Sequence, residues 1–203
     1  MLIEKPVNEF ISLVSSSSPA PGGGSVSALS AGLAAALLAM AVRVSTKSQG
    51  GGDEPYVAEL EKIAGESQRL VEEDTEAFNQ VMAAYALPKA SDEDKSLRKI
   101  AIQQAMKIAT EVPLRTAQAS HRLLALALEI SVFCKSGCLS DAAVGSYLAE
   151  AGLKGSLANV YINISSLKDE EFVGEVREKV ALLESALATL PGQIQSVVKE
   201  RMR

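Results

Sequence analysis

The chain is organised around one stretch, Pro19-Ala20-Pro21-Gly22-Gly23-Gly24-Ser25-Val26-Ser27-Ala28. Proline fixes φ near about −65°, and glycine lets the backbone adopt positive φ or approach another surface closely. Ser25 or Ser27 can accept hydrogen bonds from the first free amides of a helix. The stretch therefore predicts a rigid turn and a helix N-terminus. Such a terminus either binds an anion, such as a carboxylate or a phosphate, or only caps the helix and lets two helices pack closely.

The glycine run does not have the pattern of a nucleotide site. It lacks the Gly-Lys-Ser/Thr of a P-loop at the required spacing, and no strand precedes it, as a dinucleotide-binding fingerprint requires. Phosphoryl transfer and hydride transfer therefore have little support.

The residues that follow the glycines predict one helix from Ser25 to about Lys47, roughly six turns long. A helix that is apolar nearly all round lies at the centre of a bundle or at a subunit interface. A membrane span is the alternative, because no charge occurs from Ile11 to Val42. Serines, prolines and glycines interrupt that run, and the N-terminus lacks a basic segment. A buried central helix is therefore favoured over a span or a signal peptide.

Helix signals recur along the middle of the chain. Gly50-Gly51-Gly52 is expected to end the central helix. Asp53 is placed to cap the next helix, with Pro55 just inside it, and Ser91-Asp92-Glu93-Asp94 resembles a capping box. Pro113 is expected to kink the helix that follows this box.

The last third of the chain is also predicted to be helical. Ser140-Asp141 is expected to cap and open a helix that ends near Ala151. Residues 160–164 alternate like a strand, yet they also fit a helix, and no second strand candidate exists to pair with them. Asp169 is expected to open a last helix, which Pro191-Gly192 interrupts.

These signals together predict the fold class. It is an all-α, multi-helix bundle of about six to eight helices, with a long apolar central helix after the Pro-Gly-rich turn. We expect residues 1–203 to form a single domain.

Charge and cysteine content exclude several classes of partner. The net charge of −5 argues against nucleic acid, because phosphate neutralisation needs a basic face. Cys134 and Cys138 have no second pair to complete a metal site, and they indicate reduced, partly buried thiols in a cytosolic protein. His121 is the only histidine, which argues against a histidine-based zinc site and a Ser-His-Asp triad. No metal is predicted.

Three polar clusters stand out against the apolar background. The first is the glycine turn with its serines, the second is Asp74, and the third is Ser140-Asp141 with Asn159 and Asn163. The two asparagines share a helix face, where they form either a buried network or a binding edge for a polar heterocycle. Asp74 is either an ordinary salt-bridged or solvated carboxylate or a functional one. Asp141 near a helix start is more often dipole-stabilising than catalytic.

Six short segments follow one another along about residues 5–185: Pro19-Ala20-Pro21-Gly22-Gly23-Gly24-Ser25, Asp74-Thr75-Glu76-Ala77-Phe78, Leu87-Pro88-Lys89, Val112-Pro113-Leu114, Ser140-Asp141 and Asn159-Val160-Tyr161-Ile162-Asn163-Ile164. The ordered set resembles the formiminotransferase-cyclodeaminase family, specifically its cyclodeaminase/cyclohydrolase domain. No formiminotransferase domain is recognised, so the resemblance implies a free-standing version.

The resemblance implies an all-helical homodimer that acts on folate one-carbon units without a metal or redox cofactor. The cytoplasmic location expected from the two thiols agrees with it. One family activity hydrolyses 5,10-methenyltetrahydrofolate to 10-formyltetrahydrofolate. The other closes 5-formiminotetrahydrofolate to the methenyl form with loss of ammonia. Both proceed by addition at an amidine-like carbon and cleavage of a C–N bond.

The resemblance also implies roles for particular residues. Asp141 or Asp74 would carry protons or stabilise the cationic substrate, and Asn159 and Asn163 would bind the pterin edge or orient water. Thr46 and Lys47 would neutralise the glutamate tail of the folate. The remaining substrate-binding candidates belong to the glycine turn and the predicted start of the later helix: Gly22, Gly23, Gly24, Ser25 and Ser140.

Two departures from the family pattern concern substrate contacts. The family often has a Gly-Asn pair shortly before its Ser-Asp, where this chain has Cys134-Lys135-Ser136-Gly137-Cys138. The segment after the central helix, Lys47-Ser48-Gln49-Gly50-Gly51-Gly52, lacks the family's basic, tyrosine-containing pattern. The alternative function is therefore a non-catalytic helical binding protein that keeps this fold.

Overall fold

The computed structural model describes residues 1–47 and 54–203. It contains six α-helices: α1 (Val7–Val14), α2 (Gly23–Thr46), α3 (Glu54–Ala86), α4 (Asp92–Phe133), α5 (Leu139–Ile164) and α6 (Glu170–Arg201). A short 3-10 turn, Ser136–Cys138, joins α4 to α5, and no strand occurs in the described ranges. The predicted all-α bundle is confirmed. The single-domain assignment of residues 1–203 stays a prediction.

α2 is the central helix of the bundle. Its small residues, including Ala31, Ala34 and Ala35, are fully buried, and the helix contacts α3, α4 and α5. Three glycines of α5 face it at successive levels, with Gly145 opposite Leu38 and Gly152 opposite the Ser27 carbonyl. α2 and α5 therefore run antiparallel, and small residues on both helices let the two backbones approach closely.

α2 is also the one described helix that is long and apolar enough to cross a membrane, with a mean hydropathy of 2.0 in its most apolar window. Length and composition alone give this result, and a buried core helix passes the same test. Here 56% of the window is buried inside the protein. The contacts of α2 with three other helices are those of a core helix.

The start of α2 differs from the prediction. The helix already begins at Gly23, so its N-cap is Gly22, which has no side chain to make a capping bond. Ser25 and Ser27 lie inside the first turns and cannot occupy the capping position. The Ser27 hydroxyl instead donates to the Gly23 carbonyl at 2.7 Å, and Ser25 contacts α3.

Two predicted helix starts are confirmed. The Ser91 side chain accepts from the Asp94 amide and the Asp94 side chain accepts from the Ser91 amide, which completes the capping box of α4. Asp169 caps α6 by accepting from the Phe172 amide at 3.1 Å. The predicted cap at Asp53 and the predicted break at 50–52 lie outside the described residues.

The predicted end of α5 near Ala151 is wrong. The helix starts at Leu139 with Cys138 as N-cap, so Ser140 does not cap it, and it continues to Ile164. The glycines at 152 and 155 lie against α2, so they serve close packing and do not end the helix. The choice of helix over strand for residues 160–164 is confirmed.

The predicted interruption at Pro191-Gly192 is also wrong, because α6 is continuous to Arg201. Leu183 precedes the proline and Ile194 follows it, and both are buried against the same core. The Arg201 guanidinium anchors the helix end by donating to the Cys134 carbonyl at 2.7 Å. Packing on both sides of Pro191 therefore outweighs the loss of one helical hydrogen bond.

Candidate active site

Asp74 lies on α3 and faces the first turn of α2. Its Oδ2 accepts a hydrogen bond from the Ser25 hydroxyl at 2.8 Å, and the Thr75 hydroxyl lies 3.3 Å from the Ser25 hydroxyl. Burial raises the pKa of the Asp74 carboxyl, although hydrogen bonds from the Ser25 side chain and backbone oppose this rise. Asp74 therefore satisfies the start of α2 from a neighbouring helix, where Gly22 offers no side chain.

Gly24 is the residue that admits the Asp74 carboxylate. A Cβ built on Gly24 overlaps all three atoms of that carboxylate group. None of the three glycines in the turn has positive φ. The glycine at position 24 is therefore required for close approach and not for an unusual backbone conformation.

A cleft of about 330 Å³ opens beside this contact. Its polar lining is Asp74, Asn159, Asn163 and the backbone of Gly22–Gly24. Its other walls are proline and apolar side chains, among them Pro19, Ala20, Ala77, Phe78, Val81, Met106, Ala109 and Ile162. No lysine or arginine of the described chain lines it. Among the described residues, the lining of the cleft thus has a single ionisable group, the Asp74 carboxylate.

Asn163 is held in the cleft by a backbone carbonyl of α4. Its Nδ2 donates to the Ala109 carbonyl at 2.6 Å. In an uninterrupted α-helix this carbonyl would accept from the amide of residue 113, but Pro113 has no amide hydrogen. Pro113 therefore frees the acceptor that fixes the Asn163 side chain.

Asn159 is fixed one turn earlier on α5. Its Nδ2 donates to the Gly155 carbonyl at 2.8 Å, and the side chain faces Gly23. Each asparagine amide therefore uses one N–H on the protein and keeps an oxygen and a second N–H for a ligand. Two such amides next to a carboxylate suit the edge of a polar heterocycle.

The other predicted site residues lie at the opposite end of the bundle. Thr46 and Lys47 are at the end of α2, and Ser140 and Asp141 are at the start of α5. These two helix ends are close together, because the Lys135 amide, just before α5, donates to the Ser45 hydroxyl of α2 at 2.8 Å. The 18 residues from Asp141 to Asn159 span about 27 Å of helix. The structure therefore brings Asp74, the glycine turn and the two asparagines together in one cleft. Thr46, Lys47, Ser140 and Asp141 do not reach that cleft. The catalytic role of Asp141 stays an untested prediction.

Sequence reasoning missed two features of the cleft. The contribution of Met106 and Ala109 depends on how α4 packs, and no polar pattern marks it. The role of Pro113 had a signal, because a proline inside a helix leaves the carbonyl four residues earlier without its partner. The partner on α5 could not be identified without the packing.

The cysteines and acidic residues of the described ranges form no group of three that could hold a metal ion. Cys134 and Cys138 are free and buried, and burial raises the pKa of the Cys134 thiol. Cys134 is the C-cap of α4 and Cys138 is the last residue of the 3-10 turn, so the two thiols do not lie on one helix.

The fold is an all-helical bundle, and the cleft is a candidate small-molecule site built around the Asp74 carboxylate. Residues 6–182 match the family model described as Formiminotransferase-cyclodeaminase. The chain therefore belongs to the formiminotransferase-cyclodeaminase family.

Individual relatives agree with this assignment. A protein named methenyltetrahydrofolate cyclohydrolase from Methylorubrum extorquens is 33% identical over 97% of both chains. A formimidoyltransferase-cyclodeaminase from Gallus gallus is 34% identical over 91% of this chain but only 35% of its own length. A crystal structure of formiminotetrahydrofolate cyclodeaminase from Thermotoga maritima superposes with a TM-score of 0.87, 25% identity and 98% coverage of both chains. The predicted family and the predicted class, a folate one-carbon enzyme, are confirmed.

The raised pKa of Asp74 predicts a pH dependence of stability. Between the pKa of the unfolded chain and the higher pKa of the folded protein, the folded state holds one more proton. The Asp74 contribution to the free energy of unfolding is therefore fully present below the unfolded pKa and is lost as pH rises through the folded pKa. We expect the stability of the wild type, relative to Asp74→Asn, to fall as pH rises.

Urea unfolding of both proteins between about pH 3.5 and pH 8 measures this difference. A matched comparison with Asp92→Asn, an exposed carboxylate on α4, corrects for general charge effects. A wild-type advantage that grows with pH would contradict the raised pKa.

Proposed function

We propose that this protein hydrolyses 5,10-methenyltetrahydrofolate to 10-formyltetrahydrofolate. The observation that carries the proposal is the partly buried Asp74 carboxylate, whose pKa is raised, in a cleft with no lysine or arginine in its described lining. The methenyl substrate carries a positive charge spread over N5, the one-carbon centre and N10. A carboxylate without a competing cation attracts that charge.

The proposed steps need one proton carrier. Ionised Asp74 accepts a proton from water as the water oxygen bonds to the methenyl carbon, which gives a neutral tetrahedral intermediate. Protonated Asp74 then donates to N5, the C–N5 bond breaks, and the carbon remains on N10 as a formyl group after its hydroxyl proton is released. A carboxyl with a raised pKa suits both directions of transfer near neutral pH.

The two asparagines and the apolar walls fit the pterin. Asn159 and Asn163 each keep a donor and an acceptor for the polar edge of the ring, and Phe78, Val81 and Met106 cover its faces. A cleft of about 330 Å³ is at the small end of ligand sites, which are about 300–1,000 Å³. It suits the ring and one-carbon centre, with the glutamate tail extending outside.

The glycine turn has a different role in this proposal from the anion site predicted for it. Gly24 admits Asp74, and the Ser25 backbone and hydroxyl bond to that carboxylate. The start of α2 is therefore satisfied by an anion of the protein itself. We infer that Gly22–Gly24 position the acid-base group and do not bind the substrate carboxylate.

The same residues support ring closure of 5-formiminotetrahydrofolate as a second activity. There Asp74 removes the N10 proton as N10 attacks the formimino carbon, and it returns a proton to the departing ammonia. The cyclohydrolase relative matches 97% of both chains, and the Thermotoga maritima neighbour is named a cyclodeaminase. We rank hydrolysis above ring closure because the cyclohydrolase relative is the more similar in sequence, at 33% identity against 25%.

Three further features belong to the proposal. We propose a homodimer, supported by an exposed apolar face on α2. We propose catalysis without a metal or redox cofactor, since acid-base transfer by one carboxylate supplies the chemistry. We propose a cytoplasmic location, supported by the free thiols of Cys134 and Cys138.

Near-ultraviolet absorbance of 5,10-methenyltetrahydrofolate tests the function. We expect purified protein to accelerate its loss over the spontaneous rate, and Asp74→Asn to lower kcat by at least about 100-fold because proton transfer is lost. The exposed Asp92→Asn is the matched control and should retain the wild-type rate. Asp141→Asn tests the other predicted carboxylate.

No acceleration of hydrolysis, and no ammonia release from the formimino substrate, would favour a non-catalytic binding protein. Full activity of Asp74→Asn with loss in Asp141→Asn would transfer the acid-base role to Asp141.

Pro113 provides a second test through Asn163. Pro113→Ala restores the amide that bonds the Ala109 carbonyl, so this carbonyl no longer holds Asn163. We expect the dissociation constant of the stable folate 5-formyltetrahydrofolate to rise about three- to tenfold, with no loss of protein stability. Isothermal calorimetry and urea unfolding measure both quantities.

The matched control is Pro191→Ala on α6, which restores the same kind of helical bond away from the cleft. It should leave binding unchanged. The effect of Pro113→Ala should also disappear in an Asn163→Ala background. Equal weakening of binding in both backgrounds would contradict the role given to Pro113.

A further inference from the structure

Four residues form a closed circuit of contacts between the first turns of α2 and the second half of α5. The Ser27 hydroxyl donates to the Gly23 carbonyl at 2.7 Å, and Gly23 faces the side-chain amide of Asn159. The Asn159 Nδ2 donates to the Gly155 carbonyl at 2.8 Å. Gly155 in turn faces the Ser27 hydroxyl, which closes the circuit. We call these four residues the α2–α5 circuit.

The tightest point of the α2–α5 circuit is Gly155. A Cβ built on Gly155 would overlap the Ser27 Oγ, whereas the Ser27 Cβ would lie at an ordinary contact distance of 3.4 Å. Among the described residues, no atom of another helix besides these two comes within 4 Å of that position. The Ser27 hydroxyl therefore occupies the space that a side chain at position 155 would need.

The Ser27 hydroxyl cannot leave this space without loss. Ser27 is buried, and rotation of its side chain would break the bond to the Gly23 carbonyl. A buried hydroxyl without a partner is unfavourable, because it has given up water and gained nothing in exchange. Ser27 and Gly155 together therefore set how closely α5 approaches α2 at this level.

The α2–α5 circuit also determines the position of Asn159. The carbonyl that holds the Asn159 amide belongs to Gly155, so Asn159 moves with this part of α5. On the other side, the Asn159 Nδ2 lies against Gly23, at 3.4 Å from the place of a Cβ. Asn163 has a separate anchor, which is the Ala109 carbonyl of α4. A change at position 155 should therefore move Asn159 more than Asn163.

We propose that Ser27 and Gly155 are positioning residues for substrate recognition, and that they act through Asn159. This inference rests on the proposed function, in which Asn159 offers an oxygen and an N–H to the pterin edge. The start of α2 then has two separate tasks. Gly24 admits the Asp74 carboxylate for proton transfer. Ser27 and Gly155 place the amide that binds the ring.

Gly155→Ala tests the positioning role by its effect on binding and on rate. The added methyl group should displace Asn159, so we expect KM for 5,10-methenyltetrahydrofolate and the dissociation constant of 5-formyltetrahydrofolate to rise about tenfold. We expect kcat and its pH profile to stay within about twofold of the wild type, because Asp74 lies outside the circuit. A merely structural defect would lower kcat and would not raise the dissociation constant selectively.

Gly65→Ala on α3 is the matched control for Gly155→Ala. It brings the same gain in helix propensity, and nothing lies within 4 Å of its added Cβ. It should leave KM, kcat and the dissociation constant unchanged. A tenfold loss of kcat in Gly155→Ala with an unchanged dissociation constant would overturn the proposal.

Removal of the Ser27 hydroxyl provides a rescue. Because the new methyl group overlaps that hydroxyl oxygen, adding Ser27→Ala to Gly155→Ala should return the dissociation constant to within about threefold of the wild type. Gly152→Ala is the comparison on the same helix, since its Cβ would lie 3.1 Å from the Ser27 backbone carbonyl. Ser27→Ala does not remove that carbonyl and should not rescue this variant. A Gly155→Ala defect that persists without the hydroxyl overturns the proposal.

Two alanine backgrounds show which asparagine carries the effect. In Asn159→Ala, Gly155→Ala should cause no further weakening of 5-formyltetrahydrofolate binding. In Asn163→Ala it should keep its full effect, because Asn163 is anchored on α4. Equal weakening in both backgrounds overturns the role given to Asn159.

NMR of the ligand-free protein distinguishes failure of this inference from failure of the proposed function. The side-chain amide signals of Asn159 should shift in Gly155→Ala and return toward their wild-type positions when Ser27→Ala is added. The signals of Asn163 should change little. This result in a protein that binds no folate would refute the proposed function and leave the positioning of Asn159 standing. Asn159 signals that do not move, or that do not return, overturn the inference whatever the protein binds.

Discussion

The contact between the Asp74 carboxylate and the first turn of α2 is the constraint on which the site depends. It exists because position 24 is glycine, since any Cβ there overlaps the carboxylate. The carboxylate satisfies the Ser25 hydroxyl and backbone, while burial raises its pKa. One contact thus completes a helix start and holds the carboxyl to which we assign the acid-base role. The Asp74 carboxylate serves both the fold and the proposed chemistry. A variant at Asp74 or Gly24 must therefore be measured for stability as well as for activity.

The rest of the cleft follows from how small residues and prolines shape the bundle. Glycines at 145 and 152 let α5 lie closely along α2, which brings Asn159 and Asn163 to the level of the glycine turn. Pro113 leaves the Ala109 carbonyl free for Asn163. Residues that weaken isolated helices are therefore used here to bring helices together and to hold side chains in place.

Much of the fold could be predicted from sequence because its signals are local. The capping box at Ser91, the apolar run of α2 and the helix pattern of residues 160–164 each act within a few turns. The predicted interruption at Pro191 and the predicted end of α5 near Ala151 failed because packing against neighbouring helices decided the outcome. For the candidate site, Asp74, Asn159 and Asn163 could be proposed from their polarity, but their proximity depends on the antiparallel pairing of α2 and α5. The separation of Asp141 from Asp74 follows from the same pairing, and no spacing in the sequence reveals it.

The account depends most on the state of the Asp74 carboxyl and on Gly24 as its cause. A ¹³C NMR titration of the Asp74 side-chain carboxyl, in the wild type and in Gly24→Ala, measures this directly. Our account predicts a wild-type pKa above the ordinary range for aspartate, and a return toward that range in Gly24→Ala as the added methyl group displaces the carboxylate toward water. Gly23→Ala, whose Cβ would lie 3.4 Å from the Asn159 Nδ2, should leave the titration unchanged. A wild-type pKa at or below the ordinary value, or one unaffected by Gly24→Ala, would contradict the account.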